Sequence, residues 1–241
     1  CGVRLVQLLE AYGIDTVFGI PGNHTVQLYR GLGGSRIRHI SPRHEQGAAF
    51  MADGYARATG RPAACFLISG PGLGNAVTPM MQALGDSIPM LVITAVAARS
   101  QLGLGEGRLH ELPDQRALAS QCSRFSHTLM DPAELPRVLA RAFALFASER
   151  PGPVHIELPL DVITADAAHV SPEPWPLPAG GAAARHGVGE LARRLDAAQR
   201  PLIIAGGGSV SAAAELRDLA EWLDAPVLTT VNGKGVLPPD H

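Results

Sequence analysis

Lysine is all but missing from this chain: Lys234 is the only one, and arginine supplies nearly all the positive charge. The skew is compositional and creates no basic surface, because the formal net charge over 241 residues is −2. So even a balance gives no electrostatic footprint for nucleic acid and no acidic tail. Cysteine is also sparse. Cys1, Cys65 and Cys122 are odd in number and far apart, which argues against a disulfide framework or a zinc knuckle. A reducing, cytoplasmic setting is the simplest expectation. Long apolar runs are absent as well. Pro89–Ala98 is of strand length, well short of the roughly 20 residues of a membrane span. No charged-then-apolar signal opens the chain, so no membrane partner is expected.

What is present describes a globule. Apolar residues make up 46% and charged residues 17%, and the length suits one large or two modest domains with a real core. Cys1 in place of an initiator methionine, and a stop at Pro238-Pro-Asp-His241 just after a strand-and-turn pattern, lead us to expect a piece of something longer.

The periodicity predicts alternating helices and strands. Val3, Leu5, Val6, Leu8 and Leu9 form a helical stripe, and Thr16–Ile20 reads as a short buried strand that runs into Pro21-Gly-Asn-His24. Ile37–Ile40 is another strand, after which Glu45 opens a helix faced with Ala48, Ala49, Ala52 and Ala56. Ala63–Ile68 and Met90–Thr94 are continuous apolar runs, as expected of strands covered on both faces. Between them a turn at 70–74 leads to a helix expected over Asn75–Leu84. After an irregular stretch come a strand near Phe125–Leu129, a helix over Pro132–Ser148 and a strand over Val154–Leu158. This order predicts an α/β fold with a parallel sheet and helices on both faces. Residues 166–186, with prolines at 172, 174, 176 and 178, read as a linker. Residues 187–241 hold two strands and two helices, too few for a domain, so they read as a truncated central α/β, Rossmann-like domain.

Taken singly, the polar motifs say little. A glutamate in a first helical turn ordinarily just complements the helix dipole, and Pro-Gly is a generic turn. Ser69-Gly-Pro-Gly72-Leu-Gly-Asn75 lies between strand and helix but lacks both the dinucleotide fingerprint and the P-loop lysine. Taken together the segments are distinctive. Phe18-Gly-Ile-Pro-Gly22, Arg43–Arg57 around His44-Glu45, Ser69–Asn75 and Asp86-Ser-Ile-Pro-Met90, in this order, resemble the pyrimidine-binding domain of thiamine-diphosphate enzymes. The specific likeness is to the acetolactate synthase and 2-oxo acid decarboxylase family. It covers residues 2–165 densely and 187–241 more loosely.

The resemblance implies a thiamine-diphosphate pyrimidine-binding domain over 1–165 and decarboxylation or carboligation of 2-oxo acids. It assigns Glu45 to the N1′ edge of the cofactor aminopyrimidine, where it promotes loss of the C2 proton. Pro21, Gly22, Gly72 and Asn75 would flank the cofactor with it. His24 is a candidate proton donor to a substrate carbonyl. His110, in Leu109-His110-Glu111, stands where many relatives carry glutamine in a loop that reaches a partner subunit's site, which puts a titratable group there. The longer string Leu109–Gln115 resembles decarboxylases of 5-guanidino-2-oxopentanoate. A homodimer or homotetramer is implied, with a small 2-oxo acid as substrate.

Mg²⁺ and the diphosphate belong, in the family, to a Gly-Asp-Gly segment followed by a distant asparagine. No such segment occurs here, so no metal ligand is assigned and the chain alone is expected to be inactive. Some relatives bind FAD in the central domain, but Gly206-Gly-Gly208 reads first as an ordinary tight turn. Two alternatives stay open: an acetolactate synthase-type carboligase, and a non-catalytic α/β domain that binds a nucleotide at those glycines.

Overall fold

Apolar runs become strands and amphipathic runs become helices in the computed structural model, which describes residues 1–179, 181 and 183–241. The chain divides into two compact units, Cys1–Gly180 and Gly181–His241. The first runs α1 (Gly2–Ala11), β1 (Thr16–Gly19), α2 (Val26–Leu32), β2 (Arg38–Ile40), α3 (Glu45–Thr59), β3 (Ala63–Leu67) and α4 (Pro71–Asp86). It continues through β4 (Met90–Val96), α5 (Gln115–Ser120), β5 (Phe125–Thr128), α6 (Leu135–Ser148), β6 (Pro153–Pro159) and the single turn α7 (Leu160–Ile163). The six strands form one parallel sheet in the order β2-β1-β3-β4-β6-β5.

Alternate residues of each strand face opposite layers. Ala64, Phe66, Leu91, Ile93, Val154 and Ile156 pack with α1, α2 and α6, while Ala63, Cys65, Leu67, Met90 and Val92 pack with α3, α4 and α5. Ala48, Ala49 and Ala52 let α3 lie close to the sheet. The second layer changes character along the sheet. On β6 its inward positions are His155 and Glu157, and on β5 Ser126 and Thr128, so beneath α5 an apolar face becomes a polar one.

Four local expectations shift. The helix after β3 begins at Pro71 rather than Asn75, because Gly70 adopts φ 60°, ψ −108° and a proline with preset φ follows it. The stretch read as irregular contains α5, whose N-cap Asp114 accepts a hydrogen bond from the Ala117 N–H at 2.8 Å. Before α6, Pro132–Glu134 winds as a 3₁₀ turn. Within the stretch read as a linker, Ala167 and Val170 pack into the core of the first unit, and a further helix begins at Arg185. Residues 180 and 182 of that stretch lie outside the described residues.

The second unit contains α8 (Arg185–Asp196), β7 (Ile203–Ala205), α9 (Ala213–Leu223) and β8 (Val227–Thr229), with the two strands paired in parallel. Ile204, Leu228 and Trp222 are exposed on it. Among the described residues no helix is long and apolar enough to cross a membrane.

Candidate functional site

In open parallel sheets ligands bind beyond the strand carboxyl ends, where successive connections leave toward opposite faces. β1 feeds α2 on one face and β3 feeds α4 on the other, which makes the β1/β3 boundary such a point. The turn after β1 is fixed by Thr25, whose hydroxyl accepts from the Gly22 N–H at 3.1 Å and donates to the Gly22 carbonyl at 3.1 Å. The turn holds His24 half-buried and leaves Pro21 exposed.

Glu45 enters from the first turn of α3, where the His44 side chain caps the helix by accepting from the Gln46 N–H. The Glu45 carboxylate is half-buried and accepts a hydrogen bond from Asn75 Nδ2 through Oε2 at 3.0 Å. Oε1 has no hydrogen-bond partner among the described residues. Gly72 lies beside it. A Cβ there would stand 3.7 Å from Glu45 Cγ and 2.6 Å from Ile68 Cγ2, while one at Gly22 would meet the other end of Ile68 at 2.9 Å. Ile68 thus separates the Gly22 and Gly72 turns, and both glycines leave it room. Gly72 and Asn75 meet at the Glu45 carboxylate, and Gly22 lies on the far side of Ile68.

The two candidate histidines also meet. Their rings are 5.8 Å apart in an edge-to-face arrangement. His24 Nδ1 lies 2.6 Å from the Ser69 hydroxyl. Burial, and secondarily the neighbouring His110, hold the His24 pKa below its usual value. His110 adopts φ 59°, a costly left-handed conformation for a residue with a side chain. Its carbonyl packs against Gly70, where any Cβ would collide with it. His110 Nδ1 is buried and lacks a partner among the described residues.

Sequence reading missed the residue that braces this arrangement. Gln115, the first residue of α5, is buried, and its Oε1 accepts from the Gly70 N–H at 2.7 Å. Its amide nitrogen reaches Thr94 Oγ1 at 3.0 Å, the Ala95 carbonyl at 2.9 Å and Glu157 Oε2 at 2.9 Å. Glu157 also accepts from the Thr128 hydroxyl at 2.7 Å. Burial raises its pKa despite those bonds. His155 lies between Thr94 and Ser126 at 2.9 and 2.7 Å, and burial lowers its pKa to about 3. Polar residues at alternate positions of the apolar run Val154-His-Ile-Glu-Leu158 were the available signal. A cavity of about 580 Å³ opens beside this network, lined by Ser126, Thr128, Glu157, Asp114 and Arg116 among others.

At Gly206–Gly208 of the second unit the glycines do not lead directly into a helix N-terminus. A 3₁₀ segment, Gly207–Ala212, intervenes before α9, and Gly207 sits against Asn232.

A glutamate at a helix entry thus meets the Gly72–Asn75 turn at the switch point of a parallel sheet. Residues 2–118 match the family described as thiamine pyrophosphate enzyme, N-terminal TPP binding domain, and residues 188–241 match its central domain. The chain belongs to the thiamine pyrophosphate enzymes. Among individual proteins, it is 53% identical over 244 residues to the probable 2-ketoarginine decarboxylase AruI of Pseudomonas aeruginosa, an alignment of 99% of this chain and 43% of that protein. It is 38% identical to the acetolactate synthase isozyme 1 large subunit of Escherichia coli (98% of this chain, 42% of that one). It is 40% identical to a glyoxylate carboligase from the same species (97% and 40%). The chain therefore spans less than half the length of these relatives.

Proposed function

We propose that the chain is the pyrimidine-binding part of a thiamine-diphosphate-dependent enzyme that decarboxylates 2-oxo acids. The observation that carries the reading is the Glu45 carboxylate, held on one oxygen by Asn75, without a partner on the other among the described residues, and faced by Gly72. That arrangement fits the aminopyrimidine end of the cofactor. An open carboxylate oxygen can take a ring-nitrogen hydrogen bond, and a side chain at position 72 would collide with Ile68 and fill the space beside the glutamate stem. Among the described residues no group of three or more His, Cys, Asp or Glu side chains could hold a metal. The chain spans 43% of the probable 2-ketoarginine decarboxylase, and the proposal places Mg²⁺ and the diphosphate on the part of such a longer protein that has no counterpart here.

Thiamine diphosphate, when bound, supplies the carbanion stabilisation that decarboxylation requires. Glu45 holds and returns a proton at the pyrimidine edge. Asn75 orients it, Gly22 and Gly72 leave room for the ring, and Pro21 shapes the turn. His24 and His110 face the substrate side, His24 as a hydrogen-bond donor to the oxo acid.

The identity of 53% to a probable 2-ketoarginine decarboxylase, against 38% and 40% to the synthase and the carboligase, favours decarboxylation of 5-guanidino-2-oxopentanoate over carboligation. The proposed domains are 1–165 pyrimidine-binding, a linker over 166–186 that first packs Ala167 and Val170 into the core of that domain and ends as α8 begins at Arg185, and 187–241 as the start of the central domain. A cytoplasmic homodimer or homotetramer that does not require FAD completes the proposal. The test is carbon dioxide release by the full-length protein with thiamine diphosphate and Mg²⁺. Faster turnover is expected with 5-guanidino-2-oxopentanoate than with pyruvate. Activity that is independent of thiamine diphosphate would overturn the reading.

A further inference from the structure

Ser69 opens the glycine-rich turn that follows β3. It is 3% exposed, and its hydroxyl meets a single partner among the described residues, Nδ1 of His24 at 2.6 Å. The backbone beneath that hydroxyl is clamped. The next residue, Gly70, donates its N–H to the buried Gln115 and packs against the His110 carbonyl. On the imidazole, Nε2 has no hydrogen-bond partner among the described residues, and the ring is half-buried.

Two protonation patterns compete at this contact. If Nδ1 carries the hydrogen, it donates to Ser69, and the serine O–H is left in a buried place with no acceptor. If Nδ1 is bare, the Ser69 O–H donates to it and both groups are satisfied. The second pattern is favoured, because an unpaired buried donor costs more than a made bond returns. It leaves the hydrogen of the neutral ring on Nε2, the nitrogen without a protein partner. The lowered pKa of His24 is consistent with a neutral ring.

We propose that Ser69 is a positioning residue: its hydroxyl fixes His24 as the Nε2–H tautomer, a neutral hydrogen-bond donor to the carbonyl or carboxylate oxygen of the 2-oxo acid. The assignment of that acceptor rests on the function proposed above, whereas the tautomer does not. A neutral donor suits an oxygen that gains charge during reaction, because the hydrogen bond strengthens as the charge develops. Ser69 itself touches no substrate and acts only through the imidazole.

Two measurements test this. In the nitrogen-15-labelled chain, long-range proton–nitrogen spectra report which ring nitrogen of His24 carries the hydrogen. The wild type should show hydrogen on Nε2, and Ser69→Ala should show an average of both tautomers, with Ser69→Thr restoring the wild-type pattern. Hydrogen on Nδ1 in the wild type overturns the proposal and leaves the proposed function standing. In the full-length protein with thiamine diphosphate and Mg²⁺, Ser69→Ala should lower kcat for the 2-oxo acid about tenfold, with KM changing less and Ser69→Thr recovering most of the loss. A kcat within about twofold of wild type overturns the positioning role. If the wild type turns over no 2-oxo acid at all, the function falls, and the role assigned to Ser69 toward that substrate falls with it.

Discussion

At the crevice between β1 and β3, Glu45 spends one oxygen on Asn75 and keeps the other, while His24 and His110 each hold a ring nitrogen without a partner among the described residues. The polar network on β4, β6 and β5 beneath α5 belongs to the same sheet. There Glu157 is bonded on both oxygens, His155 on both nitrogens, and Gln115 on every side. Both regions are rich in titratable groups, and both follow directly from apolar strands. They differ in whether the polar capacity is used up. Groups saturated by their own chain hold the structure, whereas groups left open in a crevice are available to a ligand. The backbone tells the same story. The left-handed His110 and the φ +60° of Gly70 are both at the first crevice, strain that is borne where the chain approaches itself closely.

Gln115 joins the two regions, so its removal is the harshest way to break the comparison. Gln115→Leu orphans the Gly70 N–H and takes one donor from buried Glu157. Stability should fall by about 3 kcal/mol, read from the urea midpoint, and the Ser69–Gly70 turn should loosen with it. A loss below about 1 kcal/mol would mean the network is not what holds the site.

Next comes the converse, a change in the open region that spares the fold. Glu45→Gln keeps an acceptor for Asn75, so the melting curve should hardly move. In the full-length protein, exchange of the cofactor C2 proton followed by NMR should slow by about 10²-fold or more, because an amide cannot share an acidic proton with the ring. Exchange near the wild-type rate would reduce Glu45 to a helix-entry charge.

The gentlest probe is pH. His155 has its folded pKa depressed from 6.5 to about 3 by burial. The unfolded chain therefore binds the extra proton first, and the contribution of neutral His155 is complete above 6.5 and is lost as pH falls toward 3. Glu157 has the opposite sign. Its folded pKa is raised, so its contribution is complete below 4.5 and is lost as pH climbs through the raised value. Stability should therefore slope with pH between 6.5 and 3 by at most about 1.4 kcal/mol per unit from His155, and His155→Gln should flatten that slope. An unchanged slope in the variant would place the acid sensitivity elsewhere.

The open region was far more legible in the sequence than the saturated one. Pro21-Gly22, Glu45 and Ser69–Asn75 each follow a strand and carry turn or helix-entry chemistry, so their types and positions could be read locally. Gln115 could not, because its importance lies in bonds to residues 20, 42 and 45 positions away. His155 and Glu157 sit within an apolar strand, where periodicity reports burial but not the partner that makes burial of a polar group tolerable. The start of α4 was misjudged for a related reason. Glycines at 70, 72 and 74 read as a turn, yet two of them are helical because Gly70 alone absorbs the unusual backbone angles.

The sequence by itself determined the alternation of strands and helices, the small-residue face of α3, and the residue types at each strand's carboxyl end, because period, turn chemistry and capping act over a few residues. Only the tertiary structure decided that Glu45 meets Asn75 across 30 residues and that His24 meets Ser69 across 45. Those meetings depend on strand order. β1 and β3 become neighbours when β2 takes the outer edge, and their connections then leave on opposite faces of the sheet. Such pairing is set by the global packing of apolar layers, which no short stretch of sequence contains.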